Sequence, residues 1–360
     1  MFASDRVFVI AEAGVNHNGS PEMALRLIEV AAAAGADAVK FQTFRADRLV
    51  STDACKADYQ IKNTGSTESQ LDMLKRLELP AEAHHTLAAR CRELGIAFMS
   101  TAFDLESLNF LAGLNMPAIK IPSGDVTASP LVLAAAQLGK PIILSTGMCT
   151  LADIESALGV LAFGLSGAST FPSRAAFEQA YSTAEGRDLL QRQVTLLHCV
   201  TEYPAPFSEV NLRAMDTLRK AFGLRVGYSD HTLGISVSLA AVARGATVIE
   251  KHFTLDCTLP GPDHKASLQP DELAALIRGI REVEAALGEN RKAPTSAELK
   301  NRPIARRSLI AICAIGKGER FTKGNLGVMR PGDGLSPMLY WDILGREAKR
   351  GYTSGERIEL

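Results

Sequence analysis

The chain has 360 residues, 46% of them apolar and 22% charged, with a formal net charge of −1. This composition suits a globular protein with room for one large domain and a small one, and the balanced, scattered charges leave no basic stripe for nucleic acid. No apolar run approaches a membrane span and Met1–Arg6 lacks signal-peptide anatomy, so the expectation is a cytoplasmic protein with no membrane partner.

Short β-branched runs alternate with amphipathic stretches along the first 287 residues. The expected strands are Val7–Ala11, Asp37–Phe41, Ile96–Ser100, Ala118–Ile121, Pro141–Ser145, Val194–Cys199, Arg225–Tyr228 and Thr247–Lys251. Helical periodicity fills Pro21–Ala34, Ala81–Leu94, Pro130–Leu138, Leu151–Leu161, Val210–Phe222, Ile235–Arg244 and Pro270–Leu287. Eight strand–helix units of this size fit an α/β fold of the (β/α)8 TIM-barrel type. The rival, a doubly wound open sheet, calls for a glycine-rich phosphate fingerprint after the first strand. Glu12-Ala-Gly-Val-Asn-His-Asn-Gly19 does not match one.

Two segments interrupt the rhythm. Val50–Pro80 follows the second strand, where long loops of a barrel cover the active face. Phe163–Gln193 precedes the sixth strand and reads as peripheral. Residues 288–303 are polar and proline-containing and read as a linker. Residues 304–360 read as a separate, small β-rich domain, with strand-like pieces at Ser308–Ala314 and Arg357–Leu360. The six cysteines (Cys55, Cys91, Cys149, Cys199, Cys257, Cys313) form no CxxC pair and read as reduced, buried thiols.

Side chains just past each barrel strand converge on one mouth. Reading that position in turn gives Glu12 with Asn16 and His17, Lys40 with Gln42, Ser100 with Thr101, and Lys120 with Ser123. The second half gives Ser145 with Thr146, His198 with Thr201, Ser229 with Asp230 and His231, and Glu250 with His252. A lysine inside an apolar strand costs burial energy unless an anion meets it. Lys40 and Lys120 together, with Ser123 and Ser145, point to a site for a phosphate and a carboxylate; an ion pair with Glu12 or Glu250 is the alternative for either lysine alone. Ser123-Gly124 and Ser145-Thr-Gly147 can add hydroxyls and backbone N–H groups. His231 and His252, at the ends of neighbouring strands, are the candidate metal ligands, with imidazole favouring Mn, Zn, Fe or Co over Ca. His17 and His264 read as loop histidines that touch substrate; His84, His85 and His198 read as structural.

The segments Ala11-Glu-Ala-Gly-Val-Asn-His-Asn-Gly19, Val39-Lys-Phe-Gln42, Ser100-Thr-Ala-Phe103, Ile119-Lys-Ile-Pro-Ser-Gly124, Leu144-Ser-Thr-Gly-Met148, Ser229-Asp-His231, Glu250-Lys-His252 and Gly261-Pro-Asp-His264 resemble the sialic acid synthase family. Arg306-Arg-Ser-Leu-Ile-Ala311 and Ile315-Gly-Lys-Gly-Glu319 resemble the antifreeze-like (SAF) domain that ends those synthases. The resemblance implies condensation of phosphoenolpyruvate (PEP) with an N-acylated hexose and loss of phosphate. It implies a divalent metal on His231 and His252, manganese by preference and magnesium or cobalt as alternatives. Lys40, Thr101, Lys120, Ser123 and Ser145 become the PEP cradle, Phe103 a pocket wall, and Thr201, Tyr203 and Asp263 further substrate contacts. Glu12, Glu250 and His231 become catalytic, with the choice of proton-handling glutamate left open. Arg307 becomes the SAF arginine that reaches the substrate of a neighbouring subunit in a domain-swapped homodimer. The version His198-Cys-Val-Thr-Glu-Tyr-Pro-Ala-Pro206, with Pro262-Asp-His-Lys-Ala-Ser267, resembles synthases that use a 2,4-diacetamido-6-deoxy hexose; N-acetylmannosamine stays as the alternative substrate. The rival functions are a PEP-dependent synthase of shorter sugar acids and a non-catalytic carbohydrate-binding protein.

Overall fold

The computed structural model describes residues 6–65 and 67–359. The expectations for Met1–Asp5 and for Leu360 lie outside the described residues. The chain divides into two compact units, one ending at Gly288 and one beginning at Glu289.

The first unit is a closed barrel of eight parallel strands in sequential order. They are β1 (Phe8–Gly14), β2 (Ala38–Thr43), β3 (Ala97–Ala102), β4 (Ile119–Ile121), β5 (Ile142–Ser145), β6 (Val194–His198), β7 (Arg225–Asp230) and β8 (Val248–His252). β8 pairs back onto β1, placing Glu12 opposite His252. Each expected strand is present with its ends moved by a few residues. The expected helices are also present, and Leu105–Ala112 adds one between β3 and β4 that the sequence pattern did not single out. An Asp104 side chain that accepts from the Ser107 amide caps that helix.

Two apolar layers hold the barrel together. Alternate strand residues such as Val9, Ala11, Val39 and Ile249 point outward and pack under the helices in one large core. The residues between them, Ile10, Ala38, Met99, Ala118, Ile143, Leu197 and Val248, point inward and plug the barrel interior. Gly227 is the eighth member of this inner set. A Cβ there would strike the Val248 carbonyl and the Leu197 side chain, so only glycine fits beside them.

The long segment after β2 forms helices Ala46–Leu49, Asp58–Thr64 and Gln70–Leu77. Met73 and Leu77 bury against Val15 and Phe44, with Phe103 at the edge, which seats the segment over the mouth. The segment before β6 forms helices Arg174–Ser182 and Ala184–Gln193, and no residue of it lines the mouth cleft.

The second unit has its own small core of Leu309, Ile315, Phe321, Leu326, Ile343, Tyr352 and Ile358. β9 (Ser308–Ala311) pairs antiparallel with β10 (Leu326–Met329). The expected strand at Ser308–Ala314 therefore stops at Ala311. Arg357 makes only a single bridge, to Ile310, rather than a strand. Ser296–Ala305, read from its composition as linker, is a helix. Its start was legible: Thr295 and Glu298 form a reciprocal capping box, the T-x-x-E pattern. Among the described residues no helix is long and apolar enough to cross a membrane.

Candidate active site

The site follows from the two-residue period of the strands. Two positions beyond each inward apolar residue, the inward side chain lies at the mouth. Ile10 leads to Glu12, Ala38 to Lys40, Met99 to Thr101, Ala118 to Lys120, Ile143 to Ser145, Leu197 to Cys199, Gly227 to Ser229 and Val248 to Glu250. All eight of these second residues line one cleft of about 260 Å³, together with Phe103, Ser123, Thr201, Tyr203, His231, His252 and Asp263.

The same period removes some expected mouth residues. Ser100 points outward and hydrogen-bonds Thr43, which in turn meets His84 beneath the helices. Thr146 donates its hydroxyl to the Leu197 carbonyl. Asp230 also faces outward, forming a fully buried pair with Lys251 at 3.0 Å while accepting from Thr232 and Ser238. Adjacent residues on a strand face opposite sides, so each neighbouring pair supplies one group to the site and one to the scaffold. His17 and His264 are likewise outside the cleft. His17 accepts from the Gly19 amide, and His264 is held between Thr254 and Asn18. His198 meets the Val210 carbonyl and His84 the Pro80 carbonyl, which are structural contacts.

Four buried charges form the floor. Lys40 Nζ lies 2.7 Å from Glu12 and 3.6 Å from Glu250, and Lys120 Nζ lies 3.2 Å from Glu250. Lys40 also donates to Thr101 Oγ1 at 3.0 Å, and Ser229 donates to Glu250 at 3.0 Å. Burial opposes charge on Glu250, but Lys120 and Lys40 outweigh it and hold the carboxyl at about 2. Burial pushes Glu12 up to about 7, with Lys40 pulling against it and Glu250 adding to the rise. Burial disfavours the Lys40 cation, yet Glu12 and Glu250 more than offset that and raise it. Burial lowers Lys120, Glu250 opposing and Lys40 adding.

Beside the floor, the ends of β4, β5 and β6 converge. Ser123 Oγ accepts from the Gly147 amide at 2.9 Å and lies 3.1 Å from Cys199 Sγ. The hydroxyls of Ser145 and Thr201 are buried without a hydrogen-bond partner. A Cβ on Gly147 would run into the Thr201 hydroxyl and crowd Ser123 Oγ at 2.9 Å and Cys199 Sγ at 3.0 Å. This glycine thus lets the loop close on its neighbours.

His231 and His252 meet on the opposite rim, with ring centroids 5.6 Å apart. His231 Nδ1 donates to the Val200 carbonyl at 2.5 Å, which turns its other nitrogen toward the cleft. Burial keeps both imidazoles neutral, lowering His231 to about 4 and His252 well below its usual range. His252 Nδ1 is buried without a hydrogen-bond partner, 3.9 Å from Asp263, whose carboxyl burial raises to about 6. Two neutral imidazoles, one of them with an orphaned nitrogen, suit a divalent cation as donors. Among the described residues, no three His, Cys, Asp or Glu side chains are arranged as a complete ligand set.

Sequence reasoning missed several wall residues. Tyr59, from the segment after β2, sits with its ring 5.0 Å from that of Tyr203, which lies 4.2 Å from His231. Asn63 donates to the Pro262 carbonyl at 2.7 Å and ties that segment to the loop after β8. No motif marks Tyr59; only its place in a long loop after a strand hinted at a role. Cys199, read as a reduced, buried thiol, is buried and lines the cleft; Cys91 is buried too, but Cys149 and Cys257 are only half-buried and Cys55 and Cys313 are exposed. Every cysteine is free, as expected. Arg307 lies in the second unit, on its surface.

Residues 27–292 match the NeuB family. The N,N'-diacetyllegionaminic acid synthase of Campylobacter jejuni is 50% identical over 353 residues, 98% of this chain and 99% of that protein. The chain belongs to the NeuB, or sialic acid synthase, family. The synthase is thus an enzyme of the transferase class that makes nonulosonic acids. A second N,N'-diacetyllegionaminic acid synthase, from Legionella pneumophila, is 43% identical, covering 98% of this chain and 93% of that protein. Among solved structures, the N-acetylneuraminic acid synthetase of Leptospira borgpetersenii, in complex with citrate, is 33% identical with a TM-score of 0.66. That match covers 82% of this synthase and 90% of the Leptospira chain.

Proposed function

We propose that this synthase condenses PEP with the open-chain form of a 2,4-diacetamido-6-deoxy hexose. The observation that carries the reading is the buried Lys40–Lys120 pair beside the unpartnered hydroxyls of Ser145 and Thr201. Cations and hydroxyl donors held on buried side chains of one cleft fit a small phosphorylated carboxylate. PEP C3 attacks the sugar aldehyde carbon, forming the new C–C bond, and the aldehyde oxygen takes up a proton. Water adds to the cationic C2, and C–O cleavage of that adduct releases inorganic phosphate and leaves a 2-keto acid. PEP is already an enol, so Lys40 and Lys120 serve as fixed charges rather than nucleophiles.

Roles for the side chains follow from their partners. Glu250, gripped by both lysines and Ser229, is the permanent counter-charge. Glu12 contacts Lys40 and accepts only a long 3.3 Å bond from Gln42, so it is the carboxyl free to move a proton at the sugar oxygen. Thr101, Ser123, Ser145 and Thr201 hold the anion, while Phe103, Tyr203 and Asp263 line the sugar end. His231 and His252 would hold a divalent cation, manganese by preference, which supplies Lewis-acid polarisation of the aldehyde oxygen. The floor is neutral when its two lysines and two glutamates are all charged. PEP brings roughly −2.5 to −3, counting its phosphate monoester and its carboxylate, and a divalent cation offsets much of that.

The second unit is read as a SAF domain. Its exposed Arg307 completes the sugar end of a partner subunit's site in a homodimer, and the free thiols fit a cytoplasmic setting. The sugar preference rests on the near-full-length identity to two N,N'-diacetyllegionaminic acid synthases. N-acetylmannosamine is the second reading, favoured by the structural likeness to the Leptospira N-acetylneuraminic acid synthetase.

Phosphate release from PEP decides between them. The diacetamido sugar should exceed N-acetylmannosamine in kcat/KM by at least about tenfold, because a site built for two N-acyl groups is left with unpaired polar atoms when one is missing. A reversed preference selects the second reading. No release with either sugar, in the presence of manganese, overturns the proposal.

A further inference from the structure

We infer that Cys199 is a positioning residue that fixes the direction of the Ser123 hydroxyl, and thereby tunes affinity for the phosphoryl end of PEP. This rests on the reading of the cleft as a PEP site.

The argument is a count of hydrogens around one oxygen. A serine hydroxyl has one hydrogen to donate and two lone pairs to accept with. The Gly147 amide donates to Ser123 Oγ at 2.9 Å, which occupies one lone pair. Cys199 Sγ lies 3.1 Å from the same oxygen. Burial pushes the Cys199 thiol above its usual range, so its hydrogen is present at neutral pH. Either atom of the Ser123–Cys199 contact can be the donor. With the S–H donating, both lone pairs of Ser123 Oγ are filled and neither of these two neighbours can take the Ser123 hydrogen, which leaves it for a ligand in the cleft. Without the thiol, the hydroxyl is free to rotate.

Three observations place this oxygen in the anion site. Ser123 and Cys199 both line the cleft with Lys120. The Ser145 hydroxyl, on a residue only 3% exposed, has no partner in the protein and lines the same cleft. A Cβ on Gly147 would crowd Ser123, Thr201 and Cys199 together, so three heteroatoms surround one point of the loop. Serine and threonine hydroxyls that lack protein acceptors beside a lysine form a set of donors awaiting an anion. Cys199 is the member of the group that contributes orientation rather than contact.

The test is PEP binding measured by calorimetry, beside steady-state kinetics, for wild type, Cys199→Ala and Cys199→Ser. Alanine removes the donor, and serine replaces S–H with O–H in nearly the same place. The expected result for Cys199→Ala is a Kd for PEP weakened by about tenfold, as for the loss of one well-directed hydrogen bond to a charged group. The sugar KM and thermal midpoint should stay within about twofold and a few degrees of wild type. Cys199→Ser should restore PEP affinity to within about twofold to threefold, since the donor is back. An unchanged PEP Kd in Cys199→Ala overturns the inference, as does equal weakening of both substrates or failure of serine to rescue. Wild-type enzyme that binds no PEP would instead remove the reading of the cleft itself.

Discussion

Replacing Lys120 with methionine separates the two jobs this side chain holds. Methionine keeps much of the volume and removes the charge. Lys120 is 4% exposed and sits 3.2 Å from Glu250. Loss of one charge-assisted hydrogen bond to a buried anion costs about 1.5–3 kcal/mol, or roughly 10- to 150-fold in PEP affinity. The stability cost is smaller than the roughly 3–5 kcal/mol typical of an orphaned buried charge. Glu250 keeps Lys40 at 3.6 Å and the Ser229 hydroxyl at 3.0 Å. A drop of about 1–2 kcal/mol, or a few degrees in thermal midpoint, is therefore expected. The double variant Lys120→Met/Glu250→Gln removes the excess negative charge and should recover most of the thermal midpoint. It should not recover PEP affinity. Calorimetric PEP titration and thermal unfolding of the wild type, the single variant and the double variant supply every number needed. An unchanged PEP Kd in the single variant, or restored affinity in the double, would falsify the assignment of Lys120 to the anion site.

Three further outcomes are expected. Lys251→Met, one residue from Glu250 but facing outward against Asp230, should cost about 3–5 kcal/mol of stability as a broken buried pair. Its PEP KM should stay at the wild-type value, and a PEP-specific defect in that variant would contradict the inward–outward division of β8. Chelator treatment should abolish turnover and Mn²⁺ should restore it. His252→Ala should lose calorimetric Mn²⁺ binding while unfolding within a few degrees of wild type, and retained binding would remove this histidine from the metal site. Mixed Lys120→Met and Arg307→Ala subunits, assayed at substrate concentrations where each alone turns over far more slowly than wild type, should regain part of the activity after exchange. No recovery despite exchange demonstrated by mass spectrometry would mean that Arg307 does not act across subunits.

The eight strands were legible because each is a short, largely apolar run buried on both faces, and such runs have few other stable uses. The lysines within β2 and β4 stood out for the complementary reason: a cation in an apolar strand needs a counter-charge. The helix at Ser296–Ala305 was missed although its capping box is plain, because it carries no buried residue and thus no apolar stripe to announce it. Leu105–Ala112 was missed because eight residues span little more than two turns.

By itself the sequence determined the barrel's eight strand–helix units and the chemical character of the mouth, since those depend on patterns within ten or so neighbouring residues. Which member of each polar pair faces the site was decided by the closed barrel. Ser229 and not Asp230, Thr101 and not Ser100, Glu250 and not Lys251 point inward, because side chains alternate and closure turns one face of every strand toward a common axis. The meeting of Cys199, Ser123 and Gly147 was also a tertiary outcome, as was the tilted packing of Tyr59 against Tyr203. These contacts join residues 24 to 144 positions apart, and no local preference of the chain encodes a distance of 3 to 5 Å between them; only the common packing of strand ends around one axis does.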